Sequence, residues 1–302
     1  MNRQKTRIQY SSLQAQNQHQ TWSTAMNTLP LEKKIPVLNS LVEGNSIRST
    51  VRLTGVNKKT VMRLLVEAGE QARNVLDAQM VGIQSKYVQV DEIWTYVGKK
   101  QKQLRETDSK ELGDQYVFVA MDAETKLVPA FKVGKRNIET TRSFIKDLQY
   151  RISTRFQLST DSFKPYFNVV DELFGTDIDY GQIHKEYREE NKGEKRYSPA
   201  QIIRVIINPL IGQPSIKHIS TSYIERQNLT MRMQMRRFTR LTNAFSKKLR
   251  NLECAVALHF YHYNFMRIHQ TLRVTPAMQA NITSTIWTWE NLLFGTQIKK
   301  AA

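Results

Sequence analysis

The sequence predicts a mixed α/β domain preceded by an all-α module, and three observations carry that expectation. Apolar residues keep a helical period from about residue 31 to about residue 80, then alternate with polar ones from Val81 onward. The alternating stretches are interleaved with helix-period segments, the pattern of a central sheet flanked by helices. Three acidic residues then stand in telling settings. Asp91 lies inside an apolar strand-like run, Asp161 ends a second one, and Glu225 opens a basic helix.

Residues 1–30 are rich in Gln, Asn, Ser and Thr without sustained periodicity and read as a loosely ordered polar arm. A helix is expected over 31–43, with Leu38, Leu41 and Val42 on its apolar side. Pro36 should kink this helix or mark its start. Two further helices follow, a short one over 46–54 and a longer one from 57 to about 79. Between them lies a turn at Gly55, and Asn57 is placed to cap the second. Val51, Val56, Val61, Leu64 and Leu65 fit a small shared core, leaving Lys58, Lys59, Thr60 and Arg63 on the other side. This is the layout of a helix-turn-helix whose second helix enters the major groove, preferred to a plain helical hairpin with a solvated basic face because the turn glycine, flanking valines and basic second helix coincide.

Strands are expected over 86–96, 115–122 and 127–134, a helix over 138–152, and a strand ending at Asp161. Three strands, a helix and a strand tipped by Asp form the first half of a ribonuclease-H-like α/β fold. A short helix (166–174) and strands over 180–186 and 202–207 follow, with a charged loop between the strands. From Ser222 the apolar positions Ile224, Met231, Met235, Phe238, Leu241, Phe245, Leu249 and Leu252 predict one long helical region. Residues 287–294 read as a small aromatic cap.

The formal net charge is +18, with 45 Lys and Arg against 27 Asp and Glu, which points to a polyanionic partner. No apolar run approaches a membrane span, and the N-terminus lacks the apolar core of a signal peptide, so nucleic acid is preferred to membrane. The lone Cys254, in an apolar helical stretch, reads as a buried small hydrophobe and excludes an internal disulfide or cysteine-rich zinc site.

A carboxylate on a mostly apolar strand must be exposed, paired or metal-bound, and Asp91 taken alone fits any of these. Strand alternation turns Glu92 to the opposite face, so Asp91 and Glu92 are not expected to line one site. Asp161 at a strand's C-terminal edge suits a ligand, a turn or an N-cap, and Asp171, Asp177 and Asp179 are local rivals. Glu225 is explained equally by the helix dipole. Beyond it Asn228, Arg232, Arg236 and Arg240 recur on nearly one helical face, which suits phosphate contacts or a solvated basic face. A strand Asp, a second strand-end Asp and a helix Glu together are what two Mg²⁺ ions need to hold a phosphodiester. The polar groups Tyr263, Asn264, Arg267 and His269 read as structural bracing.

The segments Val90-Asp-Glu-Ile-Trp94, Ser159-Thr-Asp161 and the run over 219–232 resemble the transposases of the first-numbered family of bacterial insertion sequences. These belong to the Asp-Asp-Glu group, which shares its fold with retroviral integrases. The stretch over 263–277 is similar to the tail after the catalytic Glu in many integrase-type transposases, and the likeness spans about 31–280. It implies an enzyme that cuts its own element's terminal repeats and joins the freed 3′-hydroxyls to target DNA. Asp91, Asp161 and Glu225 would hold two Mg²⁺ or Mn²⁺ ions, and Arg232 matches the family's basic residue after the Glu. It implies double-stranded DNA as partner, at least a dimer for joining two ends, no membrane association, and a cytoplasmic, nucleoid-associated setting. The resulting division is a polar arm (1–30), a helix-turn-helix (31–80), a ribonuclease-H-like catalytic domain (81–280) with an insertion over 165–220, and a tail (281–302). Two departures stand out. Sixty-four positions separate Asp161 from Glu225, more than in integrases, and the cysteines of an N-terminal zinc finger are absent. A decayed DNA-binding repressor and a structure-specific nuclease of the same fold are the alternative readings.

Overall fold

The computed structural model describes residues 29–187, 201–239 and 242–295. Three helices open the described chain: α1 (Leu31–Val42), α2 (Ile47–Thr54) and α3 (Lys58–Gln79). Pro36 lies within α1, which starts at Leu31. The Ser46 side chain caps α2 by accepting from Ser49 N. Gly55 ends that helix in the left-handed region (φ 68°), which a residue without Cβ enters freely. Asn57 then caps α3 through Lys59 N.

A six-stranded mixed sheet follows, formed by β1 (Tyr87–Val97), β2 (Gly113–Asp122), β3 (Phe131–Gly134), β4 (Gln157–Asp161), β5 (Asp179–Tyr187) and β6 (Ile202–Ile211). Its order is β3-β2-β1-β4-β5-β6. The first three strands form an antiparallel meander, β4 and β5 run parallel to β1, and β6 returns antiparallel along the edge. The helices are α4 (Ile138–Arg151), α5 (Lys164–Phe174), α6 (Ser222–Gln234), α7 (Leu249–Tyr261), α8 (Pro276–Gln279) and α9 (Trp289–Phe294). This mixed sheet with helices on both faces is consistent with the expected ribonuclease-H-like architecture.

Strand alternation divides β1 between two cores. Val88 and Val90 pack with α4 and α5 residues such as Phe144, Leu148, Tyr166 and Val169. Ile93 and Val97 join a larger core that also holds Leu64, Leu65 and Ala68 of α3, Ile224 and Met231 of α6, and Leu252 and Val256 of α7. The N-terminal helices therefore share a core with the sheet. Where α3 crosses α7 the backbones nearly touch, because a Cβ on Gly69 would lie 2.4 Å from Cys254 Cβ. Cys254 is buried, as expected.

The long helix expected from Ser222 is broken. Helix α6 stops at Gln234, Met235 turns extended (ψ 105°), and a single 3-10 turn spans Arg236–Phe238 before α7 begins at Leu249. The break lets Met235 and Phe238 both enter the core, while the Thr239 hydroxyl satisfies the freed carbonyl of Arg232. Strand β3 starts at Phe131, four residues later than expected, after a Pro129-containing lead-in.

The bracing expected of residues 263–264 is present. Asn264 donates to the Val128 carbonyl (2.9 Å) and accepts from Val128 N (3.0 Å), and the Tyr263 hydroxyl donates to the Lys126 carbonyl. Trp287 and Trp289 stack around Tyr261 and Phe265 to close the aromatic cap.

Candidate active site

Parallel pairing of β1 with β4 ends at Gln89↔Ser159. Two residues beyond that last pair come Asp91 on β1 and Asp161 at the tip of β4, so both carboxylates border the cleft where the strands part. One carboxylate oxygen from each of Asp91, Glu92 and Asp161 lies within 4.8 Å of the others. The sequence argument that Asp91 and Glu92 cannot line one site is thereby corrected. They do leave β1 on opposite faces, but past Gln89 the pairing of β1 with β4 has ended, and both side chains reach the same cleft edge.

Each carboxylate has its own fixings. Asp91 Oδ1 accepts from Glu92 N (2.8 Å) and Oδ2 accepts from the Asn228 amide (2.9 Å). Asp161 Oδ1 accepts from Phe163 N at the start of α5, so it also serves the turn role weighed for it. Of its rivals, Asp179 is taken by Arg155 (2.8 Å) and Asp171 is exposed on α5. Glu92, only 3% exposed along its side chain, receives Arg136 Nε at 3.3 Å, and the same guanidinium reaches Asp161 Oδ2 at 3.7 Å. The Arg136 guanidinium carbon itself lies over the Phe163 ring, 3.8 Å from its centroid.

Burial is the main cause of the perturbed protonation here. It pushes Asp91 up to about 6, aided by Asp161 and Glu225 and opposed by the Glu92 N–H and Asn228 hydrogen bonds. It pushes Glu92 up to about 7, aided by Asp161 and opposed by the Tyr166 hydroxyl and Arg136. Tyr166 is close enough to steady the Glu92 charge, yet neither its hydroxyl nor Glu92 Oε1 makes a hydrogen bond of good geometry.

Glu225 stands in the first turn of α6, exposed, outside the three-carboxylate cluster but near enough to Asp91 to repel its charge. It pairs with Lys185 of β5 and accepts from the Thr221 hydroxyl at 2.6 Å. One turn along the same helix, Asn228 meets Asp91. Helix α6 is pinned to β1 by Gln89, whose Oε1 accepts from Tyr223 N (2.9 Å) and Ile224 N (3.1 Å). The two orphan N–H groups at the helix start are thus capped from the sheet rather than by the helix's own N-cap residue.

Arg232, half-buried, reaches the Phe238 carbonyl at 3.4 Å. Arg236 leaves the α6 face because the helix has ended, which corrects the expected row of arginines, and Arg240 lies outside the described residues. Lys58, Lys59 and Arg63 are exposed at the start of α3, and Thr60 is half-buried beside them. Sequence reasoning missed Gln89, Arg136, Tyr166 and Lys185, and set Glu92 aside.

Three carboxylates at one cleft suit a hard divalent cation, which prefers oxygen ligands and leaves its other positions to water and phosphate. The crowding of these groups fits that reading, since burial and neighbouring carboxylates both disfavour the ionised Asp91 and Glu92, a cost that a bound cation would offset. No helix among the described residues is long and apolar enough to cross a membrane.

No protein-family model matches the chain, and no curated protein matches it. Among solved structures it is similar to a Mos1 transposase paired-end complex with the left transposon end, at 13% identity and a TM-score of 0.19. That match covers 49% of this chain and 59% of the other. It is also similar to a piggyBac transposase synaptic complex with hairpin DNA, at 9% identity and a TM-score of 0.28, over 81% of this chain and 56% of that one. Overlap this loose transfers no role to any residue.

Proposed function

We propose that the chain is a divalent-metal-dependent DNA transposase that cuts the ends of a mobile element and joins them to target DNA. The observation that carries this reading is the convergence of Asp91 and Asp161, from two adjacent parallel strands, at one cleft edge with α6 pinned across it. The net charge of +18 and the sequence resemblance add to it.

In this reading Asp91, Asp161 and Glu225 hold two Mg²⁺ or Mn²⁺ ions. When bound, such ions lower the pKa of an attacking water or 3′-hydroxyl and neutralise charge on the leaving oxygen. The remaining work belongs to the chain. Asn228 fixes the Asp91 carboxylate through its amide, and Gln89 fixes the helix that carries both Asn228 and Glu225. Lys185 now balances Glu225 and is free to turn to a DNA phosphate once that carboxylate has another cation. Arg232 and Arg236 contribute phosphate contacts. Helices α2 and α3 act as the helix-turn-helix, with Lys58, Lys59, Thr60 and Arg63 on the terminal repeats. The protein works as at least a dimer, since two ends must be joined.

The test is a strand-transfer assay with labelled duplexes taken from the DNA flanking the gene. Joined products are expected with Mg²⁺ and the intact chain. Asp161→Asn should lose both cleavage and joining while still shifting the duplex in a gel. Undiminished joining by that variant rejects the assignment, and cleavage of branched DNA without joining identifies a resolvase-like nuclease instead.

A further inference from the structure

Beyond the carboxylates, part of one β1 face is left open to solvent, and flat rings line it. Strand alternation places Trp94 and Tyr96 on the face of Glu92, two and four residues past it. Tyr116 of β2 is the register partner of Trp94 and shares that face. Nearer Val88 and Val90 the same face is covered by α4 and α5. Trp94, by contrast, is 38% exposed, and Tyr96 and Tyr116 are half-buried. The rings form a row. Trp94 and Tyr96 lie 5.7 Å apart between centroids, and the half-buried Phe245 lies 4.6 Å from Tyr96. At the other end Arg136 Cζ lies 5.9 Å from the Tyr116 centroid, while its guanidinium reaches Glu92 and Asp161. The row therefore starts at the carboxylate cluster. Cations attend both ends: Arg136 at the cleft, and the exposed Lys247 two residues past Phe245. Asp114, the register partner of Tyr96, is engaged by Gln101 N, and Lys135 donates to its backbone carbonyl.

Exposed rings flanked by cations suit nucleic acid, since every base has a face to stack and every nucleotide carries a negative phosphate. A duplex hides its base faces inside its own stack, so only unpaired nucleotides can use these rings. The net charge of +18 favours that occupant over an apolar protein segment. We propose that the row from Tyr116 through Trp94 and Tyr96 to Phe245 is a stacking track for unpaired nucleotides of a DNA strand leaving the carboxylate cleft. Arg136 and Lys247 meet its phosphates. The inference rests on the DNA-cutting function proposed above and names the form of DNA held on this side of the cleft. One strand is separated from its complement next to the bond that is cut. Trp94, the most exposed ring of the row, is its anchor.

The experiment measures binding of the full chain to a short fluorescein-labelled oligothymidylate and to a labelled duplex of the same length, by anisotropy. EDTA is present so that nothing is cut, and far-ultraviolet dichroism controls for folding. We expect Trp94→Ala to weaken oligothymidylate binding about 10-fold, Trp94→Phe to restore most of it, and duplex binding to change by less than about twofold. Lys247→Ala should lower the slope of log affinity against log salt for the single strand by about 0.7. Should Trp94→Ala prove poorly folded, Tyr96→Leu keeps an apolar side chain, removes the flat ring, and should show the same selective loss. Undiminished oligothymidylate binding by folded Trp94→Ala overturns the track, and so does a loss of equal size for the duplex. Lost self-association of Trp94→Ala in sedimentation, with single-strand binding intact, assigns the face to a second copy of the chain instead. No metal enters these measurements, so the track can fail while the strand-transfer assay above still succeeds.

Discussion

Without metal, the cleft stores unfavourable free energy that pH should expose. The folded chain holds Asp91 at about 6 against an ordinary 3.8, and Glu92 at about 7 against 4.5. Between pH 4 and 7 the folded state therefore binds more protons than the unfolded one, so these two groups make stability fall as pH rises. Their contribution is intact below about pH 4 and gone above about pH 7. At about 1.4 kcal/mol per pKa unit each carboxyl is worth about 3 kcal/mol. Because both values contain repulsion from Asp161, and that of Glu92 also from Asp91, the two do not add, and we take about 3 kcal/mol for the pair. Two histidines act in the opposite direction. Burial presses His259 down to about 3 and His262 to about 4, so their contribution is present above pH 6.5 and is lost on acidification. A wild-type profile alone mixes these effects. The clean measurement is urea denaturation at pH 5, 6, 7 and 8 in a chelating buffer, for the wild type and for Asp91→Asn with Glu92→Gln, and the difference between them. That variant keeps both histidines. It should gain stability over the wild type progressively from pH 5 to 8, by about 3 kcal/mol at the top. A difference that is flat with pH, or that shrinks as pH rises, refutes the electrostatic account of the cleft.

Gly69→Ala should destabilise by about 3 kcal/mol in denaturant melts, because the new methyl meets Cys254 backbone atoms at 2.4–2.6 Å and the helices must separate. Gly55→Ala, where nothing lies within 4 Å and only the left-handed φ resists, should cost about 1 kcal/mol. Gln89→Leu should cost about 1–3 kcal/mol by orphaning two N–H groups of α6. It should also lower DNA cleavage more than DNA binding, and equal losses in both assays contradict its role in placing α6. Lys58→Ala and Lys59→Ala should each weaken duplex binding and reduce the slope of log affinity against log salt by about 1. An unchanged slope removes α3 from the interface.

The elements with clean periodicity were legible. Alternation placed β1 within one residue at each end and fixed the end of β4 at Asp161, and the helical period over 138–152 placed α4 within one residue. Asp91 and Asp161 were legible for the same reason, since charge inside an apolar strand stands out. Four features were not. The break at Met235 was hidden because Met231, Met235 and Phe238 keep spacings that a continuous helix would also give, and only tertiary burial separates the two. Glu92 was set aside by a face rule that holds within a continuous sheet and lapses where β4 parts from β1. Gln89 caps a helix more than 130 positions away, and no local pattern announces such a partner. Strand β6 ran four residues past its expected end because Pro209 is tolerated on an edge strand.

The shared core of α3 and the sheet has a mechanical consequence. Helix α3 is 22 residues long, about 33 Å at 1.5 Å per residue, close to the length of one turn of B-form duplex. Its basic start stands clear of the protein while its later turns are locked against α7 by the Gly69 contact. If that start grips an element end, the helix is a fixed ruler: the span from the bases it reads to the bond that is cut is set by α3 itself. Lengthening a hinge could not retune it, and adding a helical turn would shift the cut.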